Sequence, residues 1–138
     1  MKKKLLVLIV AYNHEKFIKS VLDRINDNLF KAYEVEVLIN DDSSLDNTLN
    51  ITKDYIKNNS HKKIKYTVLS NPVNQGYGGN QKIGFLYAIK NNFDFVALIH
   101  GDGQYAPEYL ETLVEPLNDD NTDAVFGSRM INKNGALK

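Results

Sequence analysis

The feature that most constrains the fold is an alternation between short apolar runs and longer segments whose apolar residues recur at helical spacing. The apolar runs predict strands at residues 5–11, 33–39, 64–69, 95–99 and 124–126. The segments between them predict helices at residues 15–29, 45–57, 80–91 and 107–117. This βαβαβαβαβ order predicts an α/β fold: a Rossmann-like, open and mainly parallel sheet with helices on both faces.

The composition is that of one globular domain. With 138 residues, of which 43% are hydrophobic and 25% charged, the chain is too apolar for an intrinsically disordered protein. Its 17 basic and 17 acidic residues balance, which argues against a nucleic-acid-binding protein. The sequence contains no cysteine, which excludes disulfide scaffolds, thiolate metal sites and cysteine nucleophiles.

The N-terminal segment has three lysines before an apolar run, as a signal peptide would. The run is short and is followed by polar residues without a cleavage pattern, so a strand is predicted instead. No stretch reaches the roughly 18 apolar residues of a membrane-spanning helix, and we expect a soluble, cytoplasmic protein. The lysines within 2–4 and 62–65 are more often solvated strand flanks than membrane contacts, but they leave open a position at the inner face of a membrane.

Polar segments follow four of the predicted strands. In an open parallel sheet the carboxyl ends of the strands share one edge, and ligands bind beyond that edge. The segments are Tyr12-Asn13, Asp41-Asp42, residues 71–79 and residues 100–104. Their convergence makes this edge the candidate functional site.

The adjacent carboxylates of Asp41 and Asp42 follow the second predicted strand. A carboxylate at this edge can accept hydrogen bonds from a nucleobase N–H or from ribose hydroxyls, and we favour ligand contact for this pair. The alternative is that one carboxylate caps the next helix, because Asp and Ser are common capping residues. Capping is the favoured role for Ser43, Ser44 and Asp46.

His100, Asp102 and Gln104 follow the fourth predicted strand at intervals of two residues. In an extended segment such residues face the same side, so the three side chains can converge. Oxygen ligands suit Mg²⁺ or Mn²⁺, which commonly takes phosphate oxygens from a substrate as well. The alternative is a polar turn after a buried strand. His100 taken alone is more often a core histidine or a support for a ligand.

The glycine-rich segment 74–80 differs from both familiar phosphate-binding loops. The G-x-G-x-x-G pattern would need glycine at Gln81, and the sequence has no Gly-Lys pair for a P-loop. The glycines allow either a close approach of backbone to a ligand or tight packing of a helix on the sheet. Both interpretations remain open, and no nucleophile–base arrangement supports a hydrolase.

Taken together, these motifs resemble the family-2 glycosyltransferases of the GT-A fold, in particular the branch of dolichol-phosphate mannosyltransferases and related polyprenyl-phosphate sugar transferases. The similar segments follow one another in the family's order over nearly the whole chain. They are residues 10–15 (VAYNHE), 41–48 (DDSSLDNT), 74–84 (NQGYGGNQKIG), 100–104 (HGDGQ) and 127–129 (GSR).

The resemblance implies that the chain binds a GDP- or UDP-linked sugar together with Mn²⁺ or Mg²⁺. In the whole protein the sugar would be transferred to a lipid phosphate, such as a polyprenyl phosphate, or to a glycan acceptor. The metal ligands that it implies are Asp102, Gln104 and His100. The nucleotide contacts that it implies are Ala11, Tyr12, Asn13, Glu15, Asp41, Asp42, Asn74, Gly76 and Asp102.

Two departures from the family pattern matter. His100 replaces the first aspartate of the metal motif, which removes one carboxylate and favours Mn²⁺ over Mg²⁺. Members of the family continue past Gly-Ser-Arg with the acceptor site and the catalytic base. We therefore expect residues 1–138 to be a single nucleotide-sugar-binding domain without the acceptor half, and we assign no catalytic base. Apolar surface left without that half would favour a homo-oligomer.

Two other classes of protein share features with this sequence. A non-catalytic nucleotide-sugar-binding module, or pseudoenzyme, is the main alternative, because of His100 and the missing half. A phospho-acceptor receiver domain fits less well, because its acid pair would follow the first strand rather than the second.

Overall fold

Four parallel strands form the centre of the fold in the computed structural model, which describes residues 1–59 and 64–128. The strands are β1 (Lys4–Ala11), β2 (Glu34–Asp41), β3 (Lys65–Ser70) and β4 (Phe95–His100). The helices are α1 (Ile18–Asp23), α2 (Asp27–Ala32), α3 (Thr48–Asn58), α4 (Gly76–Lys90) and α5 (Leu110–Val114). Two 3₁₀ turns, Pro107–Tyr109 and Glu115–Asn118, flank α5. The predicted α/β class with an open parallel sheet is confirmed.

The central strand β1 is buried on both sides, which explains its unbroken apolar sequence. Alternate residues of a strand point to opposite faces, and the two cores follow that alternation. The odd-numbered β1 residues Leu5, Val7 and Ile9 pack in a core that includes residues of α1, α2, α3 and α5. The even-numbered residues Leu6, Leu8 and Val10 belong to a smaller core that includes Ala88 of α4. The sheet therefore has four short helices on one face and α4 on the other.

The strand order is β3-β2-β1-β4, and every neighbouring pair is parallel. The chain moves outward from β1 to β2 and β3, and then α4 carries it back to the opposite side of β1. β2 and β3 are thus added on one side of β1 and β4 on the other, so the strand order reverses between β1 and β4. In open α/β sheets, ligands bind outside the carboxyl ends of the strands at such a reversal.

Gly84 allows α4 to lie directly on β1. A Cβ atom at this position would overlap both methyl groups of Leu8. Because those methyl groups are fully buried, they have little room to move. The sequence left two interpretations of the glycine-rich region open, and at Gly84 the structure shows close helix–sheet packing.

Glu36 is a buried charged residue that joins β2, β3 and α4. Its Oε1 atom accepts hydrogen bonds from the Thr67 and Tyr87 hydroxyls, each at 2.6 Å. Its Oε2 atom forms an ion pair of 2.6 Å with Lys65 Nζ. Burial works to raise the pKa of Glu36, but the hydrogen bonds from Lys65, Thr67 and Tyr87 outweigh burial and hold this pKa below its ordinary value.

The single helix predicted at residues 15–29 is wrong. The structure has α1 and α2 with a break between them, although Leu29 remains buried as the helical spacing requires. Asn26 adopts an extended conformation, and its side chain accepts a hydrogen bond of 2.9 Å from the Asn28 N–H. Asn26 therefore acts as an N-cap that starts a second helix.

The fifth strand predicted at residues 124–126 is also wrong, because these residues have no regular secondary structure and Phe126 is 90% exposed. Only residues 110–114 of the helix predicted at 107–117 are α-helical.

The Arg129 end of the Gly-Ser-Arg motif lies outside the described residues, as do Lys62 and Lys63. Within the described ranges, no helix has both the length and the apolar character needed to cross a bilayer.

Candidate active site

The four polar segments do meet at the carboxyl edge of the sheet. Backbone hydrogen bonds continue the strand ladders one residue beyond the strand ends. The Asp42 N–H donates to Ala11 O at 2.8 Å, and the Asn71 N–H donates to Asp41 O at 2.9 Å. The Gly101 N–H donates to Val10 O at 2.9 Å. The segments that follow β1, β2, β3 and β4 therefore leave the sheet side by side.

Asn13 joins the loop after β1 to the loop after β2. Its Oδ1 atom accepts a hydrogen bond of 2.8 Å from the Leu45 N–H, and its own N–H donates to Ser44 Oγ at 3.0 Å. Asn13 has a φ angle of 56°, a left-handed conformation that asparagine tolerates better than most residues. The resemblance assigns Asn13 to nucleotide binding. In the structure its side-chain oxygen instead holds the loop after β2 against the loop after β1.

Glu15 and Asp46 hold the same two loops together by reciprocal bonds. The Glu15 N–H donates to Asp46 Oδ2 at 3.0 Å, and the Asn47 N–H donates to Glu15 Oε2 at 3.0 Å. Asp46 Oδ1 also accepts from the Thr48 N–H at 2.9 Å, so Asp46 supports the start of α3 as the capping interpretation predicted. Burial works to raise the pKa of Asp46, but the bonds from Thr48 and Glu15 outweigh burial and lower this pKa.

Asp42 is 3% exposed and holds the segment after β3 in place. Its Oδ1 atom accepts hydrogen bonds from Asn71 Nδ2 at 2.7 Å and from the Gln75 N–H at 2.8 Å. Asn71 Nδ2 also donates to Asn80 Oδ1 at 3.2 Å. The Asn40 and Asn80 side chains each donate to the other residue's backbone oxygen, at 3.1 and 3.0 Å. This buried amide network fixes α4 against the end of β2, which is a structural role for Asp42.

Asp41 is 2% exposed, but its carboxylate is only partly satisfied. Its Oδ2 atom accepts a hydrogen bond from the Ser44 N–H at 3.2 Å and lies 3.5 Å from Ser70 Oγ. Among the described residues, its buried Oδ1 atom has no hydrogen-bond partner. A buried acceptor without a donor is costly, so a ligand that supplies a donor would be stabilised here. The helix-capping alternative for the pair is wrong, because α3 begins only at Thr48.

Three further predicted nucleotide contacts, Tyr12, Asn74 and Gly76, lie on the rim of the edge, whereas Ala11 ends β1 and is 2% exposed. Tyr12, directly after β1, is 40% exposed. Asn74 is exposed, and its Oδ1 atom accepts a hydrogen bond of 2.9 Å from the Gly76 N–H. Gly76 has a φ angle of 70°, which favours glycine at this turn into α4. The helix thus begins inside the segment that the sequence indicated as a loop.

His100 is the last residue of β4 and contacts two tyrosines. Its Nε2 atom lies 2.9 Å from the Tyr77 hydroxyl of α4. Its ring packs edge-on against Tyr77 and Tyr105, with centroid distances of 4.9 and 4.6 Å. Burial lowers the pKa of His100 below its ordinary value, Asp102 opposes this effect and His14 reinforces it. The imidazole therefore favours its neutral form.

Asp102 and Gln104 lie in a turn after β4 rather than in an extended segment. The Gln104 N–H donates to Asp102 Oδ1 at 3.0 Å, and Gly103 has a φ angle of 74°. Because the backbone turns here, the spacing of two residues does not place the Asp102 side chain on the same side as that of His100. Across residues 1–59 and 64–128, no three His, Cys, Asp or Glu side chains form a group that could hold a metal ion. The Asp102 carboxylate and Gln104 amide are nevertheless oxygen donors of the kind that Mg²⁺ and Mn²⁺ prefer.

The arrangement of polar loops at the reversal of a parallel sheet defines a Rossmann-like α/β domain. The chain belongs to glycosyl transferase family 2, whose family model matches residues 6–137. It is 31% identical, over 96% of its length, to a UDP-N-acetylglucosamine–dolichyl-phosphate N-acetylglucosaminyltransferase from Methanococcus voltae. The chain spans 55% of that relative, about half of its length.

Two solved structures show the same fold. The mannosyltransferase PcManGT from Pyrobaculum calidifontis, in complex with GDP-Man and Mn²⁺, has a TM-score of 0.72 and 20% identity, over 87% of this chain and 34% of that one. TarS from S. aureus, in complex with UDP-GlcNAc, has a TM-score of 0.64 and 25% identity, over 94% of this chain and 38% of that one. The predicted GT-A fold and the predicted family are confirmed.

Proposed function

We propose that the carboxyl edge of the sheet binds the nucleotide of a nucleoside-diphosphate sugar, and that the whole protein transfers this sugar to an acceptor. The observation that carries the proposal is the buried Asp41 carboxylate, whose Oδ1 atom has no donor among the described residues. The atom lies at the carboxyl end of β2, next to β1, and the strand order reverses between β1 and β4, where α/β sheets bind ligands. A nucleobase N–H or a ribose hydroxyl would supply the missing donor.

Residues near Asp41 would make or support the other contacts to the nucleotide. Tyr12, with Ala11 before it, would contact the base, because it is an exposed aromatic residue and directly follows Ala11, which pairs with Asp41. Asn13 and Glu15 would support that contact by fixing the loop after β1 to the loop after β2. Asp42 would act on the nucleotide indirectly, by placing the turn that contains Asn74 and Gly76.

A divalent cation, Mn²⁺ or Mg²⁺, would bind at the loop after β4. Asp102 and Gln104 would hold it through oxygen atoms, and the donor's diphosphate would supply further oxygen ligands. Bound there, the cation would act as a Lewis acid that neutralises the charge developing on the nucleoside diphosphate as it leaves. Support for this choice is that PcManGT was solved with GDP-Man and Mn²⁺.

The acceptor is proposed from the relatives. The relative from M. voltae is named for transfer to dolichyl phosphate. By analogy, the whole protein would use a polyprenyl phosphate, or a glycan carried on one, and would act at the cytoplasmic face of a membrane. We also propose that residues 1–138 form the donor-binding part, and that the acceptor site and catalytic base belong to a further part of the whole protein.

The test is titration calorimetry of the 138-residue chain with UDP and with GDP, each with and without Mn²⁺. We expect one nucleotide to bind, and we expect Asp41→Asn to weaken that binding about tenfold or more, both with and without metal. Asp54→Asn, a change of an exposed carboxylate on α3, is the matched control and should leave the affinity unchanged. Wild-type affinity in the Asp41 variant would refute the assignment.

The same titration separates the main alternative. A non-catalytic nucleotide-sugar-binding module is favoured by the replacement of the motif's first aspartate by His100. It predicts nucleotide binding that Mn²⁺ does not strengthen. Metal-dependent binding would instead support the transferase, whose leaving group needs the cation.

A further inference from the structure

The ring of His100 is already engaged by the protein on two sides. Its Nε2 atom lies 2.9 Å from the Tyr77 hydroxyl, and Tyr77 and Tyr105 pack against the ring edge-on. Tyr77 lies in the first turn of α4, whereas Tyr105 follows the turn after β4. The imidazole therefore connects two segments that border the same edge.

The strand register explains this placement. His100 pairs with Val10, which belongs to the core on the α4 side of the sheet. His100 is therefore the last residue of β4 on the face that α4 covers. The next residue, Gly101, has the other orientation: a Cβ atom on it would lie 2.7 Å from His14 Nδ1, on the side of α1. Beyond Gly101 the chain turns, so Asp102 does not lie on the same face of the strand as His100.

We propose that His100 is a positioning residue and not a metal ligand. With Tyr77 it fastens the end of β4 to the first turn of α4, and the side chains of residues 100–104 then offer the cation only the oxygen atoms of Asp102 and Gln104. This inference rests on the proposed function, because it concerns how the proposed cation is held. It changes the expectation, drawn from the sequence, that His100 completes the metal site.

Fastening these segments has a direct effect on the proposed site. The first turn of α4 contains Gly76 and follows Asn74, and the loop after β4 contains Asp102. If the bond between His100 and Tyr77 is lost, the two segments can move relative to one another. The diphosphate would have to order them upon binding, and that ordering lowers its affinity.

Pulsed electron paramagnetic resonance on the chain with Mn²⁺ and UDP, or GDP if that binds more tightly, tests the inference without relying on activity. We expect phosphorus coupling from the diphosphate and no nitrogen coupling that depends on His100. Nitrogen coupling that is present in the wild type and lost in His100→Gln would overturn the inference. Absence of phosphorus coupling would instead refute the proposed function, and the inference with it.

A double-mutant cycle tests the positioning role. Tyr77→Phe and His100→Gln should each weaken binding of the Mn²⁺–nucleotide complex about three- to tenfold, the range for one lost hydrogen bond. The double variant should be no weaker than the weaker single variant, because both changes remove the same bond. Tyr109→Phe removes an exposed hydroxyl and is the matched control, with unchanged affinity expected. Additive losses would overturn the positioning role.

Discussion

Asn71 donates its side-chain N–H to Asp42 Oδ1 at 2.7 Å, and both residues are buried at the carboxyl edge of the sheet. The same carboxylate oxygen accepts the Gln75 N–H, so one atom determines where the segment after β3 turns into α4. Asp41, the preceding residue, has a buried oxygen with no partner among the residues described. The two adjacent carboxylates thus differ in their hydrogen bonds: Asp42 is held by two donors through one oxygen, whereas one oxygen of Asp41 has no donor among the described residues.

Asp42→Ala should destabilise the fold by about 2–3 kcal/mol. The substitution removes the charged acceptor of two hydrogen bonds, from the Asn71 amide and from the Gln75 N–H, and bonds to charged groups contribute about 1.5 kcal/mol or more each. Urea denaturation followed by circular dichroism measures the loss. Asp54→Ala, at an exposed position on α3, should change stability by less than about 0.5 kcal/mol. Equal stabilities of the two variants would contradict the structural role of Asp42.

Gly84→Ala should destabilise the protein by about 1–3 kcal/mol, the usual cost of forcing extra atoms into a packed core. The added methyl group would overlap the Leu8 side chain, and α4 would have to move away from β1. Gly78→Ala in the same helix is the control, because a Cβ atom there meets nothing within 4 Å. Alanine favours helix over glycine, so thermal denaturation should show the Gly78 variant unchanged or up to about 1 kcal/mol more stable.

Glu36→Gln should lower the free energy of unfolding by about 2 kcal/mol at neutral pH. The bonds from Lys65, Thr67 and Tyr87 are stronger to a carboxylate than to an amide. The pKa of Glu36 is lower in the folded state than its ordinary value of 4.5. The stability that the ionised Glu36 contributes to the fold is therefore fully present above pH 4.5 and is lost as pH falls through the folded-state pKa. Denaturation of both proteins between neutral pH and about pH 3 should show the difference shrinking. A constant difference would contradict this account.

Asp102→Ala should abolish the metal-dependent part of nucleotide binding and leave the metal-free part unchanged. Asp102 lies in a turn outside the core, so the folded state should keep its stability. Calorimetry with and without Mn²⁺ separates the two parts of the affinity. Metal dependence that survives in this variant would show that the cation has other ligands.

The sequence predicted the four strands well because β1 is a continuous apolar run and β2, β3 and β4 contain shorter runs of apolar and β-branched residues. The apolar run of β1 and the runs of β2, β3 and β4 needed no tertiary information, and their common direction follows from the helices between them. The predicted strand at 124–126 failed because three apolar residues indicate a strand only if a neighbour pairs with them. Phe126, at 90% exposure, has no such packing.

The sequence predicted that the four polar segments meet at one edge of the sheet, but not the contacts among their side chains. That Asp41 and Asp42 follow β2 was evident, but which one keeps an unpartnered oxygen depends on Asn71 and Gln75, many residues along the chain. Asn40, which directly follows the apolar residues 37–39 of β2 and is fully buried, was the one sequence signal for the buried amide network. The contact between His100 and Tyr77 could not be predicted, because it depends on how α4 crosses the sheet.

The position of β4 beside β1 also affects how the chain folds. Lys4 donates its N–H to the Asp94 carboxylate across a separation of 90 residues, and the pairing of β1 with β4 begins beside this bond. During synthesis β1 can pair with β2 early, but its other edge stays open until α4 and β4 have emerged from the ribosome. An open edge on so apolar a strand can pair with other chains. We therefore expect the slowest step of folding, and the time of greatest risk of aggregation, to be the interval before β4 docks.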